Sequence, residues 1–338
     1  MSLEDVVWIL VRAVAGIAIL MGFVAYNTLL ERKVAAWIQD RVGPNRVGPW
    51  GLLQPLADGL KLFTKEPMMP SYVHKVYYLL APCLVLIPSW LLLSVLPFGS
   101  TLGGTPAVIA DLDLGLLFIF AVTSLAVYGI VLAGWASNSK YPMLGGVRSS
   151  AQMISYEVCI GLSIVGVLLT TSTMNLSEIV RNQAENGWLV WRQPLGCLLF
   201  VVACFAETNR APFDFPEAEQ ELVAGYHTEY AGMKFAMFQM GEYANLTVSA
   251  ATIVTLFLGG WSLPFAPFNG PVDSLVLELL HVAVFLGKTL FMIFFFMWVR
   301  WTLPRFRYDQ LMGMCWNAMV PLSLLNLFIT AAWIAFGA

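Results

Sequence analysis

The sequence predicts an all-α integral membrane protein of about eight transmembrane helices, with an amphipathic helix at the membrane interface after the first span. The 338-residue chain is 59% hydrophobic and 12% charged, whereas soluble domains carry roughly 25% charged residues. Its mean hydropathy is +0.74. Apolar runs near the ~20 residues needed to cross ~30 Å of hydrocarbon recur along the whole length. They leave no room for a soluble domain, so one polytopic membrane domain covers residues 1–338.

Hydropathy windows place the spans near 6–29, 76–97, 114–134, 151–171, 189–206, 236–261, 281–300 and 318–336. The first run begins with acids and lacks a basic leader region or a small-residue cleavage site, so it reads as a retained span. With the N-terminus outside, the loops at 30–75, 135–150, 207–235 and 300–317 lie inside and hold fourteen of the eighteen Lys and Arg. That bias places both termini on the outer side.

The first inner loop contains "RVGPNRVGPW", in which Arg-Val-Gly-Pro occurs twice within residues 41–49. Each Pro pushes its predecessor out of the α region, which makes an extended, turn-rich loop. Such a loop is either a stiff connector or a rigid mount that turns Arg41, Asn45 and Arg46 toward a partner or polar ligand. In the following "PWGLLQPLADGLKLFTKE", Leu52, Leu53, Leu56, Leu60 and Phe63 recur at helical spacing, with Gln54, Asp58, Lys61 and Lys65 opposite. This is the amphipathic helix, too polar and too short to span.

Cys83, Cys159, Cys197, Cys204 and Cys315 are scattered through apolar segments without close spacing or partner histidines. They read as small buried hydrophobes, and no metal or iron-sulfur cluster is expected on this chain. The three histidines, His74, His227 and His281, do not face one another from neighbouring spans as haem ligands would.

Charges within spans cost at least ~2.5–3.5 kcal/mol each. Glu157, Glu242 and Lys288 therefore need partners, a watery cavity or a neutral form. The carboxyls read as proton carriers with pKa values raised by desolvation, and Lys288 as a counter-charge to one of them. Arg12 is shallow enough to snorkel. One third of all acids fall between Cys204 and Tyr243: Glu207, Asp214, Glu217, Glu219, Glu221, Glu229 and Glu242. With Pro216 in a first helical turn, Asp214, Glu217 and Glu221 share a face and Glu219 points elsewhere. The helix dipole explains one or two acids there, but like charges repel. The remainder forms either a solvated loop or a group that stores and passes protons.

Long segments also carry a resemblance. "ERKVAAWIQDRVGPNRVGPWGLLQPLADGLKLFTKE", "AGWASNSKYPMLGGVRSSAQMISYE", "ETNRAPFDFPEAEQELVAGYHTEYAGMKF" and "LPRFRYDQLM" closely resemble the subunit 1 family of respiratory complex I, the proton-pumping NADH-quinone oxidoreductase. The resemblance implies a membrane subunit joining the membrane and hydrophilic arms, lining the quinone chamber's entrance and starting a path of carboxylates. On it, Glu31, Arg32, Arg41, Asn45, Arg46 and Asp58 lie near the quinone mouth. Glu207, Arg210, Asp214, Glu217, Glu219, Glu221 and Glu229 lie beneath the quinone cavity, and Glu157 and Glu242 in the membrane path.

The expected substrate is a quinone, ubiquinone or menaquinone. The expected partners are the quinone-site hydrophilic subunits, the neighbouring small and antiporter-like membrane subunits, and lipid, with no nucleic acid. The expected location is a bacterial inner membrane, and no independent catalysis is expected of the isolated chain. The corresponding subunit of a membrane-bound hydrogenase, formate hydrogenlyase or photosynthetic quinone reductase is the alternative. A stand-alone ion carrier is disfavoured by the absence of inverted repeats.

Overall fold

A computed structural model describes residues 3–102, 105–217, 219–264 and 274–337. Among these residues thirteen helices dominate: α1 Leu3–Ile38, α2 Gln54–Thr64, α3 Lys75–Leu93, α4 Gly115–Ala136, α5 Lys140–Thr171, α6 Leu176–Asn186, α7 Leu189–Arg192, α8 Pro194–Glu207, α9 Glu219–Leu222, α10 Met233–Phe257, α11 Leu275–Thr302, α12 Tyr308–Met314 and α13 Val320–Gly337. Strand pairing among the described residues is limited to Thr101–Leu102 against Thr105–Pro106.

Six described segments are long and apolar enough to cross a membrane: Val14–Ile38, Lys75–Leu93, Gly115–Ala136, Lys140–Thr171, Leu275–Thr302 and Tyr308–Phe336. The other two predicted spans coincide with α7–α8 and α10. At α7–α8 the helix breaks because Pro194 has no N–H to continue it. There the buried Gln193 bonds the Gly166 carbonyl at 3.3 Å and the Thr330 hydroxyl at 2.9 Å. α10 carries Glu242, Asn245 and a run of Ser and Thr, yet Leu246–Phe257 is buried throughout. Its hydroxyls bond their own helix, as Thr252 does to Val248 O at 2.9 Å and Thr255 to Ala251 O at 2.8 Å. It is therefore the central helix, screened by protein instead of lipid.

Close packing around it is set by small residues. A Cβ on Gly129 of α4 would meet Val85 Cγ2 of α3 at 2.6 Å, and one on Gly241 of α10 would meet Val85 Cγ1 at 2.8 Å. Backbones approach this closely in membrane bundles because dispersion, not water exclusion, holds them. Cys159, Cys204 and Cys315 are buried. The Cys159 and Cys315 sulfurs lie 3.3 Å apart at the π-turn Cys315–Met319.

Several boundaries differ from the sequence reading. α1 continues past residue 29 to Ile38, because nothing in "LLERKVAAWI" breaks a helix before Gly43-Pro44. Glu31 and Arg32 are thus helical residues, not members of a loop. α5 begins at Lys140 and takes in Arg148. The amphipathic helix α2 is found, with Leu52, Leu53, Leu56, Leu60 and Phe63 all exposed on one side. Before it, Gly51 has φ 78° and a Cβ there would sit 2.2 Å from Pro44 O, so the second Gly-Pro turn folds tightly back on the first. α6, absent from the sequence reading, is capped by Asn175, whose Oδ1 accepts from Ser177 N at 2.8 Å and Glu178 N at 3.2 Å.

Candidate functional site

The segment between α8 and α10 is stitched down by backbone contacts. Gln152 Nε2 of α5 donates to Ala206 O at 2.8 Å and Phe213 O at 2.9 Å. Arg305 donates to the Asp214 carbonyl, and Phe213 stacks on Phe306 with centroids 5.7 Å apart. Gly225, at φ 56°, packs against Pro216 so closely that a Cβ would lie 1.7 Å from Pro216 O. Among the described residues, the acidic segment has only the short α-helix Glu219–Leu222 and a 3-10 turn at Gly225–His227.

The expected common face of Asp214, Glu217 and Glu221 is therefore not formed, because the first two lie in the loop before the helix. Glu217 turns inward, with Oε1 3.7 Å from His227 Nδ1. Glu221 turns to the surface and pairs with Arg148 at 2.6 Å. Glu229 accepts from the Tyr72 hydroxyl at 2.8 Å. The side chains of Arg12 and Glu219 lie outside the described residues.

The stitched loop delivers Arg210 to the centre of the bundle. Its Nε donates to Glu242 Oε1 at 2.7 Å, and a second nitrogen to Glu31 Oε2 at 2.9 Å. Glu31 also accepts from the Tyr243 hydroxyl at 2.7 Å and from Arg300. Arg210 lies over the Tyr243 ring, 4.2 Å from its centroid. Both Arg210 and Glu31 are under 5% exposed, so each charge depends on the others for compensation. Burial works against the Arg210 charge, but Glu242 and Glu31 outweigh it and raise its pKa.

Beside this ion cluster is a cavity of about 30 Å³ lined by Glu207, Glu217, Glu242, Asn245, Tyr226 and Asn209, among others. A cavity above about 10–15 Å³ with several polar partners accommodates a water. Glu207 is buried, and Glu157 of α5 is its electrostatic neighbour. Burial pushes the Glu217 carboxyl well above the usual range, and Glu242 and Asp214 push it further, against Arg300 and Arg210. Burial depresses His227 to about 4, so it faces Glu217 as a neutral imidazole.

Alongside α1 lies a second cavity of about 870 Å³. Phe23, Leu29, Leu30, Lys33, Trp37 and Leu290 are among its walls, as are Arg41, Asn45 and Trp50 of the Gly-Pro loop. Leu30 and Lys33 lie within two residues of Glu31, so the cavity and the ion cluster adjoin the same turn of α1. Arg32 instead pairs with Asp58 of α2 at 2.6 Å. Arg46 is exposed on the same loop.

Lys288 is not a counter-charge to Glu157 or Glu242. Its ammonium donates to Leu258 O at 2.6 Å, Gly260 O at 3.0 Å and Ser262 O at 2.5 Å, and lies 4.3 Å from the Trp188 ring centroid. It caps the end of α10, and its three N–H groups are all used there. The counter-charge to Glu242 is Arg210. Sequence reasoning missed Arg300 and Tyr243 as partners of Glu31; the signal was a base at the inner end of the seventh predicted span and a phenol next to Glu242. Among the described residues, no group of three or more His, Cys, Asp or Glu is placed to hold a metal.

Residues 11–331 match the model of the family described as NADH dehydrogenase. A protein of Cytophaga hutchinsonii, named as a subunit of NADH-quinone oxidoreductase, is 46% identical over 330 residues, covering 96% of each chain. Its namesake in Protochlamydia amoebophila is 51% identical over 312 residues, 91% of each chain. A Rhodothermus marinus protein named NADH-quinone oxidoreductase subunit 8 is 47% identical over 334 residues, 94% of this chain and 96% of its own.

Proposed function

We propose, from the premise that the chain belongs to the NADH dehydrogenase family of NADH-quinone oxidoreductase subunits, that it admits quinone from the membrane and couples quinone reduction to proton movement. In this reading α8 and α10 complete eight crossings, both termini lie outside a bacterial membrane, and the complex acts as a translocase. The other subunits of that complex supply the electrons. The quinone-site hydrophilic subunits and the small and antiporter-like membrane subunits are its neighbours.

The observation that carries the reading is that one stretch of α1 lines an apolar cavity and also carries Glu31 of the buried ion cluster. The cavity suits a quinone, with apolar walls for its tail and Arg41 and Asn45 in its lining as polar groups for its head or for a partner. When bound, the quinone supplies the redox chemistry and takes up protons as it is reduced. A new charge about 10 Å away, about the width of one helix, interacts by about 1–2 kcal/mol at an effective dielectric near 20. That is enough to move a carboxyl's pKa by about one unit.

Glu31 receives this field first and passes it to Arg210, whose hold on Glu242 tightens or loosens in response. Glu242 and Glu217 share the small cavity with Glu207, so a proton released by one has acceptors within the same polar space. Glu207 and Glu157 continue the series into α5 and toward the neighbouring membrane subunits. Glu221, paired at the surface, and Lys288, committed to carbonyls, are better suited to shaping the structure.

The test is Glu31→Gln in the intact complex. NADH–quinone activity should fall by about tenfold or more, the loss of about 1.4 kcal/mol of coupling, with oxidation of NADH by an artificial acceptor retained. Full quinone activity and full proton transfer in an assembled variant would sink the reading.

A further inference from the structure

We infer that the outer half of the chain holds a second subsite for the same ligand, which takes the distal prenyl units of the quinone tail. The inference rests on the inner cavity being the quinone's way in. A separate cavity of about 370 Å³ lies among α1, α3, α10 and α11, lined by residues that include Leu20, Leu96, Val248, Ala251 and Phe285. Ile19 and Phe23 of α1 line both this cavity and the inner one. The two spaces therefore follow one another along a single helix face.

The walls of the outer cavity have no chemistry for a polar head. Among the described residues, none that lines it is charged. The two α10 and α11 hydroxyls that reach it are satisfied within their own helices, Thr247 on Tyr243 O at 2.8 Å and Thr289 on Phe285 O at 2.9 Å. Where the two cavities meet, Asn27 Nδ2 donates to Thr247 Oγ1 at 3.0 Å, so that polar pair is satisfied as well. What remains facing the space is almost entirely hydrocarbon. A void of this size forfeits the dispersion contacts of its whole lining, so a hydrocarbon chain fills it.

The direction of entry selects which chain. Ala107, Val108 and Ile109 of the outer loop form part of the wall. Gly16 of α1 approaches that loop so closely that a Cβ would meet Ile109 Cδ1 at 2.7 Å. A phospholipid rooted in the outer leaflet would need its head at this roof, where no described cation lines the wall. A branched chain that arrives from the inner cavity past Ile19 and Phe23 needs no such partner. The quinone's own tail is that chain.

The test compares a single-prenyl quinone with a long-chain polyprenyl quinone in the assembled complex in membrane vesicles. Ala251→Phe, which fills the outer cavity, should raise KM for the long-chain quinone about tenfold and for the single-prenyl quinone by less than about twofold. An equal change for both, or none for the long chain, overturns the inference. Gly22→Leu, which intrudes on open space in the inner cavity, should impair both quinones. If it impairs neither, the entry reading itself has failed and this subsite falls with it. If Gly22→Leu acts and Ala251→Phe does not, only the subsite falls.

An arm that needs no variant uses a long-chain quinone carrying a diazirine at the tail end. Labelling of peptides around 247–251 or 282–289, competed by unlabelled long-chain quinone, is expected. Label confined to lipid, or insensitive to competition, assigns the cavity to an acyl chain and overturns the inference.

Discussion

Arg210 Nε donates to Glu242 Oε1 across 2.7 Å, tying the loop after α8 to the central helix α10. The same guanidinium holds Glu31 of α1 at 2.9 Å, so a single side chain joins three parts of the chain. Removing it takes the counter-charge from the half-buried Glu242 and leaves the buried Glu31 with Arg300 and Tyr243 alone. Breaking a buried pair in this way costs about 3–5 kcal/mol.

Arg210→Met is accordingly expected to lower the amount of assembled complex and its thermal midpoint. Arg210→Lys should recover only part of the loss, because one ammonium lacks the planar fork that reaches both carboxylates. Quantitative native gels and thermal unfolding of the purified complex check this. Wild-type stability in Arg210→Lys would show that the fork geometry is unimportant.

His227 gives the acidic loop a defined pH response. Its folded pKa, near 4, lies below the ordinary 6.5 because of burial, so between those values the unfolded loop binds the proton and the folded loop does not. Stability is fully present above about pH 6.5 and is lost as pH falls toward 4, by about 3 kcal/mol in the limit. Hydrogen exchange across residues 219–230 should speed up as pH is lowered from 7 to 5, after correction for intrinsic rates. In His227→Gln the acceleration should disappear. Acceleration that persists in that variant would assign it to the neighbouring carboxyls.

Lys288 tests the distinction between a cap and a relay. Lys288→Met leaves the carbonyls of Leu258, Gly260 and Ser262 without their donor, a cost of about 1–3 kcal/mol for each buried group left unsatisfied. Less complex should assemble, while the protons moved per electron in what does assemble stay at the wild-type value. A fall in that ratio at normal assembly would place Lys288 on the path.

The membrane class and the amphipathic helix were legible because hydrophobic periodicity and composition report burial directly. Leu52, Leu56, Leu60 and Phe63 mark an exposed apolar stripe by spacing alone. The family was legible in long motifs such as "ETNRAPFDF". The internal pairings were not. Helical spacing aligned Asp214, Glu217 and Glu221, but the packing of Gly225 onto Pro216 took the first two out of the helix, a contact between residues nine apart that no local pattern encodes.

The partners of Glu31 were hidden for a related reason. They come from residues 210, 243 and 300, and only the tertiary fold brings those positions to α1. Lys288 misled because a lone base in an apolar run reads as a counter-ion, whereas a helix end supplies carbonyls that serve as well. α10 shows the converse: the length of its run marked a helix near 236–261, but its central place in the bundle was not legible, because its polar residues find partners only in the folded chain.

The coupling account turns on Glu242, which both holds Arg210 and faces the small cavity shared with Glu207 and Glu217. The most direct measurement is the number of protons translocated per quinone reduced by the complex carrying Glu242→Gln in sealed proteoliposomes, with NADH oxidation by an artificial acceptor as the control. The account predicts a lowered ratio with the artificial-acceptor activity intact. An unchanged ratio in an assembled, quinone-active variant would contradict it.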